Sequence, residues 1–124
     1  MNENEWLDGL RHLPDVTIIK LHFEIQEKIK KHYKLRDSEK NLQKAISLCE
    51  QQIALSSLTL DAMKREHQRD VNEYYKVTGV AHPAPDFYYP SHHGYKQLLV
   101  ILKKQKNIER MVEIQTKHDK EGWK

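Results

Sequence analysis

YKQLLVILKKQKNIERMV, spanning Tyr95–Val112, reads as two short helices folded back on each other. Tyr95, Leu98 and Leu102 recur at steps of three and four, which sets them on one face of a helix. Ile108, Met111 and Val112 form a second apolar face after the polar turn Lys103–Asn107. A connection that short makes the two helices antiparallel neighbours.

The same reading extends outward. From Val16 to Leu35 the apolar positions Ile18, Leu21, Ile25, Ile29 and Tyr33 mark one helical face, with Phe23 beside it. Glu24–Lys28 and Glu27–Lys31 have the favourable i,i+4 order on the wet side. Arg36–Asp37–Ser38 breaks the pattern, and Asp37 or Ser38 can cap the next helix. That second helix is expected from about Glu39 to Ala54, with Leu42, Ala45, Ile46, Cys49 and Ile53 inward. A third is expected from Thr59 to Val77. Its inner face carries Leu60, Met63, His67, Val71, Tyr74 and Tyr75, Asp61–Arg65 forms an ion pair along it, and Gly79 ends it.

Pro83, Pro85 and Pro90 exclude a helix from Val80–His93. Phe87, Tyr88 and Tyr89 seek burial, so this segment reads as an extended strap across the helices. Ser91 caps a fourth helix, about His92 to Lys104, and Asn107 starts a fifth that ends near Gly122. The expected organisation is one all-α domain over residues 1–124. It comprises a lead-in (1–15) whose Trp6 docks on the core, a first hairpin (16–55), a middle helix (59–79), the strap (80–93) and a second hairpin (94–122).

Composition bounds the rest. The chain has 124 residues, 38% hydrophobic and 31% charged, which is polar for a globular protein but not polar enough to predict disorder. Cys49 is the single cysteine, so no internal disulfide forms, in keeping with a cytoplasmic location. No apolar run has the length of a membrane span, and Met1–Leu10 is acidic rather than basic and then apolar. Neither a transmembrane segment nor a secretory signal is expected.

Both hairpins resemble tetratricopeptide units. The family's large, apolar and aromatic positions of the first helix, and the small and apolar positions of the second, fall on Tyr95, Leu98, Leu102, Met111 and Val112. In the N-terminal hairpin they fall on Gln26, Ile29, Tyr33, Ala45 and Ile46. The stretches LHFEIQEKIKKHYKLRD and LQKAISLCEQQIAL also resemble a group of small bacterial repeat-like proteins, in which two helical hairpins are separated by a longer middle helix and a proline-containing connection. Lys30 and Leu99 stand at the family's small position, and Leu102 replaces its aromatic. The resemblance therefore implies helical hairpins and a docking function rather than a regular superhelix.

Motifs for catalysis are missing. No G-x-S-x-G, phosphate-cradling glycine loop or dinucleotide fingerprint occurs. Cys49 lies on an apolar stripe between Ile46 and Ile53, as an inert buried thiol does. Ser56, Ser57 and Ser91 are explained as helix caps, and Asp119 and Glu121 as solvated carboxylates. His67 reads as a hydrogen-bonded core histidine. A metal site would have to use the strap histidines His82, His92 and His93, whose spacing lacks a ligand motif. The expectation is a non-enzymatic protein without a cofactor.

Cations gather in two places. Lys28, Lys30, Lys31, Lys34 and Arg36 end the first helix, and Lys103, Lys104 and Lys106 end the fourth. Cations complement the dipole at helix C-termini. If the hairpins stack in parallel, both turns also emerge at one edge and give it a positive field. The candidate partner-binding residues are Gln26, Lys30, Lys34, Lys96 and Lys103, and the expected partner is a protein or peptide, acidic by complementarity. Nucleic acid is the alternative, but it calls for exposed aromatics among the lysines, and Tyr33 is needed in the core. The apolar flank of so short an array either pairs with a second copy or is capped by the Trp6 lead-in and the Phe87–Tyr89 strap.

Overall fold

Between Ser38 and Gly79 the chain has neither glycine nor proline. In the computed structural model, which describes residues 2–124, one unbroken helix runs from Glu39 to Thr78. It is the third of five: α1 (Glu3–Leu10), α2 (Asp15–Lys34), α3 (Glu39–Thr78), α4 (His93–Lys104) and α5 (Ile108–Glu121). The fold is all-α, with no strand among the described residues.

The expected second and third helices are thus a single element, and the break expected between residues 55 and 59 does not exist. Ser56 and Ser57, expected to cap, lie inside the helix instead, and the Ser56 and Thr59 hydroxyls turn back onto it. Ser56 Oγ lies 2.6 Å from the Ile53 carbonyl, and Thr59 Oγ1 donates to the Leu55 carbonyl at 3.2 Å. Satisfied in this way, short polar side chains sit inside a helix with little penalty. Gly79 ends α3 in the left-handed conformation, as expected of a C-terminal glycine.

Cross-helix bonds fix the packing. His32 meets Asn41 at 2.9 Å, Gln52 reaches the His22 carbonyl at 3.0 Å, and Arg65 and Arg69 clasp Asp15 at 2.8 and 2.9 Å. The partners advance along α3 as they retreat along α2, so these helices are antiparallel. Arg65 takes Asp15 at the start of α2 rather than the expected Asp61, and Glu27 pairs with Lys30 rather than Lys31. Gly94 bonds Gln52, and Ile101 packs in one cluster with Ala45, so α4 also runs antiparallel to α3. α2 and α4 therefore lie side by side and parallel. Lys104, at the end of α4, reaches the Tyr33 hydroxyl near the end of α2 at 3.3 Å.

The core between them holds Ile18, Ile25, Ile29, Leu55, Leu98 and Leu102, all buried. Trp6, Leu7 and Leu10 of α1 pack against it, with Trp6 beside Leu48 and Gln51 of α3. α5 is turned from the expected orientation. Ile108 and Val112 are 63% and 60% exposed, while Met111, Ile114, His118 and Glu121 face inward. The sequence Met111–Ile114–His118–Glu121 steps by three, four and three, and its two polar members hide the stripe from an apolar count.

The outer end of α3 extends beyond α2, and Tyr74, Tyr75 and Val77 are exposed there. The strap must return from that end to α4. From Gln52 to Thr78 the helix rises about 39 Å, and residues 79–94 reach about 53–58 Å when drawn out fully. The connection is therefore largely extended, which the prolines favour. His67 anchors it by a 3.2 Å bond to the Pro85 carbonyl, with Phe87 edge-on to the same imidazole. His67 is thus hydrogen-bonded as expected, but half-buried beneath the strap rather than in the core.

Candidate functional site

Two polar regions flank α4, and they differ in kind. Beneath α5 lies a buried seam. Gln52, wholly enclosed on α3, donates to the His22 carbonyl of α2 and accepts from the Gly94 amide of α4 at 2.8 Å. One side-chain amide thus joins three helices. A Cβ at residue 94 would run into the Gln52 oxygen, so glycine is required for this approach. His92, not Ser91, is the N-cap of α4, its Nδ1 accepting from the Tyr95 amide at 3.1 Å. The His92 ring stands edge-on to His22, Tyr95 and Trp123, and Trp123 stacks flat on His22.

Glu121 closes this seam. Its carboxylate accepts from Tyr95 Oη and Ser56 Oγ at 2.7 Å, from Trp123 Nε1 at 3.0 Å and from Lys117 Nζ at 2.7 Å. It is not the solvated carboxylate expected from its place near the chain end: its side chain is 15% exposed. Burial pulls its pKa up, but the bonds from Lys117, Ser56 and Tyr95 prevail and hold it below the usual value. Burial lowers the His22 pKa to about 4; burial and the neighbouring His22 lower that of His92 to about 3. Cys49 is fully enclosed and its thiol is pushed up to about 12, chiefly by burial, so no thiolate nucleophile is available at neutral pH.

The strap histidines do not converge. His82 Nδ1 accepts from the Ala84 amide at 2.9 Å, with its ring against His67 and Tyr74. His92 is committed to the α4 cap. Among the described residues no group of three or more His, Cys, Asp or Glu side chains is placed to hold a metal ion.

On the other side of α4, facing α2, the surface is an open trough of about 680 Å³. Its walls bring together Lys30, Lys31, Lys34 and Arg36 of the α2 end and His93 and Gln97 of α4. Among the described residues Glu27 is the one carboxylate lining it, and it is engaged with Lys30 at 3.5 Å. At its foot, Arg36 lies over the Tyr33 ring at 4.6 Å and Lys104 at 5.9 Å. Past His93, which lines both, lies a smaller cavity of about 300 Å³, bordered by Gln26 and Lys96 and backed by Phe23, Met63 and Pro90.

Of the five candidate residues, Lys30 and Lys34 line the trough and Gln26 and Lys96 the adjoining cavity. Lys103 lines neither and stands at the α4–α5 turn. Sequence reasoning missed His93 and Gln97 as trough residues and the whole Gln52–His22–His92–Glu121 seam. His22 was legible in principle, since it continues the Ile18–Ile25–Ile29 spacing. Trp123 lies beyond the helical period and left no such signal. No protein-family model, curated protein or solved structure matches this chain, and among the described residues no helix is long and apolar enough to cross a membrane.

Proposed function

We propose that this protein is a non-enzymatic binding module whose α2–α4 trough receives an acidic segment of a partner protein. One observation carries the reading. Four cations, Lys30, Lys31, Lys34 and Arg36, share a concave wall whose single carboxylate is already paired. Clustered like charge on a concave, low-dielectric surface focuses the field and attracts an opposite charge. The turns after α2 and α4 emerge at the same end and add Lys103, Lys104 and Lys106 to the approach field. The helical-hairpin resemblance points to docking as well, and the enclosed Cys49 and the bonded Ser56 speak against nucleophilic chemistry.

Fluorescence anisotropy with a labelled Glu-rich 12-residue peptide tests this. Binding is expected to weaken with salt, to vanish in Lys30→Glu/Lys34→Glu and to be absent for the matching Gln-rich peptide. A single-stranded oligonucleotide serves as the competing probe. If it binds through the same lysines while the acidic peptide does not, the partner is nucleic acid and the reading is overturned. The burial of Tyr33 beneath Arg36 and Lys104 favours the peptide, because it leaves no aromatic platform for bases among these cations.

A further inference from the structure

The trough and the smaller cavity adjoin but differ in chemistry, and His93 lines both. On one side lie the cations of the α2 end. On the other, Phe23, Met63 and Pro90 offer apolar surface in the more enclosed cavity, and Phe23 remains 47% exposed. A purely acidic ligand would leave that surface wet. From this, and resting on the acidic-segment reading above, we infer that the partner segment is bipartite: an acidic run on the α2 lysines, with one aliphatic or aromatic side chain anchored in the cavity beside His93.

Helix geometry sets the spacing. The cavity is centred near Phe23 and Gln26, the cationic wall near Lys30 and Lys34, and the offset along α2 is about 11 Å. An extended peptide covers that distance in about three residues. The anchor therefore sits about three residues from the centre of the acidic run. Gln26 and Lys96 around the cavity mouth can bond the peptide backbone there. Charge brings the segment in, and the enclosed apolar contact selects among acidic segments, because a desolvated anchor contributes more to residence than rim charges do.

The test uses three labelled peptides of equal length and charge. In two, a leucine stands three residues before or after the centre of a four-glutamate run; in the third, serine replaces it. One leucine peptide is expected to bind about tenfold or more tightly than the serine peptide, the scale of one buried leucine side chain. Ser91→Trp, at an exposed position on the cavity rim, is expected to erase that advantage and leave the serine peptide's affinity unchanged. Phe23→Ser should act in the same direction, and its thermal midpoint reports whether folding is intact. If all three peptides bind equally and neither variant changes this, the anchor is refuted and the acidic trough stands. If none binds, both readings fall together.

Discussion

The two sides of α4 carry similar residues to opposite ends. Toward α5, Lys117 and Glu121 are bonded to each other at 2.7 Å and embedded with Ser56, Tyr95 and Trp123. Toward α2, four cations share one carboxylate around an open recess. In the first case charge is matched and the carboxylate is largely desolvated, so it sets structure: removing its donors leaves it stranded. In the second, charge is solvated and unmatched, contributing little to stability and open to another molecule. Substitutions on the two sides should therefore separate cleanly into effects on folding and effects on binding.

The largest effect is expected at Trp123. It is buried against His22 and His92 although it lies outside any helix. Trp123→Ala should lower unfolding stability by about 3–5 kcal/mol, read from urea denaturation, and should release α5 first in hydrogen exchange. A loss below about 1 kcal/mol would mean that the C-terminal turn is not part of the core.

Acid comes next. His22 and His92 are neutral in the fold, with pKa values lowered to about 4 and 3 from an ordinary 6.5. The unfolded chain therefore binds more protons below pH 6.5, and stability falls as pH drops from there toward 4. The slope is up to about 1.4 kcal/mol per pH unit for each imidazole. Glu121, whose pKa is also lowered, adds loss in the same direction as pH falls through the carboxylate range. Urea midpoints at pH 7, 6 and 5 check this, and a flat profile would show that the imidazoles are solvated.

A smaller loss is expected from Glu121→Gln. The amide keeps the shape but surrenders the charge-assisted bonds from Lys117, Tyr95 and Ser56, costing about 2 kcal/mol. The same denaturation series measures it, and Glu121→Gln should also flatten the acid limb below pH 5. The smallest effect is expected across α4. Lys30→Glu/Lys34→Glu should move stability by no more than about 0.5 kcal/mol while eliminating peptide binding. If it unfolds the protein instead, the trough is structural and the contrast between the two sides fails.

Much of this architecture was readable because apolar spacing survives without neighbours. Ile25, Ile29, Tyr33, Leu98 and Leu102 are inward as their steps of three and four require. The parallel placement of both turns was only a condition in the sequence; it follows from α2 and α4 each running antiparallel to α3. The buried seam escaped notice for a physical reason. Ala45, Cys49, Gln52, Ser56 and Thr59 repeat at four, three, four and three, but three of the five are polar. Thr59 is satisfied within its own helix, but Gln52 and Ser56 find partners from other elements, Gly94 for Gln52 and Glu121 for Ser56. The partners lie 42 and 65 positions away in the chain.

The trough itself was half legible. Lys30 and Lys34 share a helix and a face, so their association is local. That His93 and Gln97 complete the opposite wall depends on the rotation of α4 about its own axis, which the Gln52–Gly94 bond and the Tyr95–Glu121 bond fix.

By itself, then, the sequence determined the helical periods and which ends of the helices carry positive charge, because each rests on residues within a few turns of one another; that Glu39–Thr78 runs as one helix emerged only with the fold. Only the tertiary structure decided which charges are matched and which remain open, since that depends on partners from helices far apart in the chain meeting in a solvent-poor space.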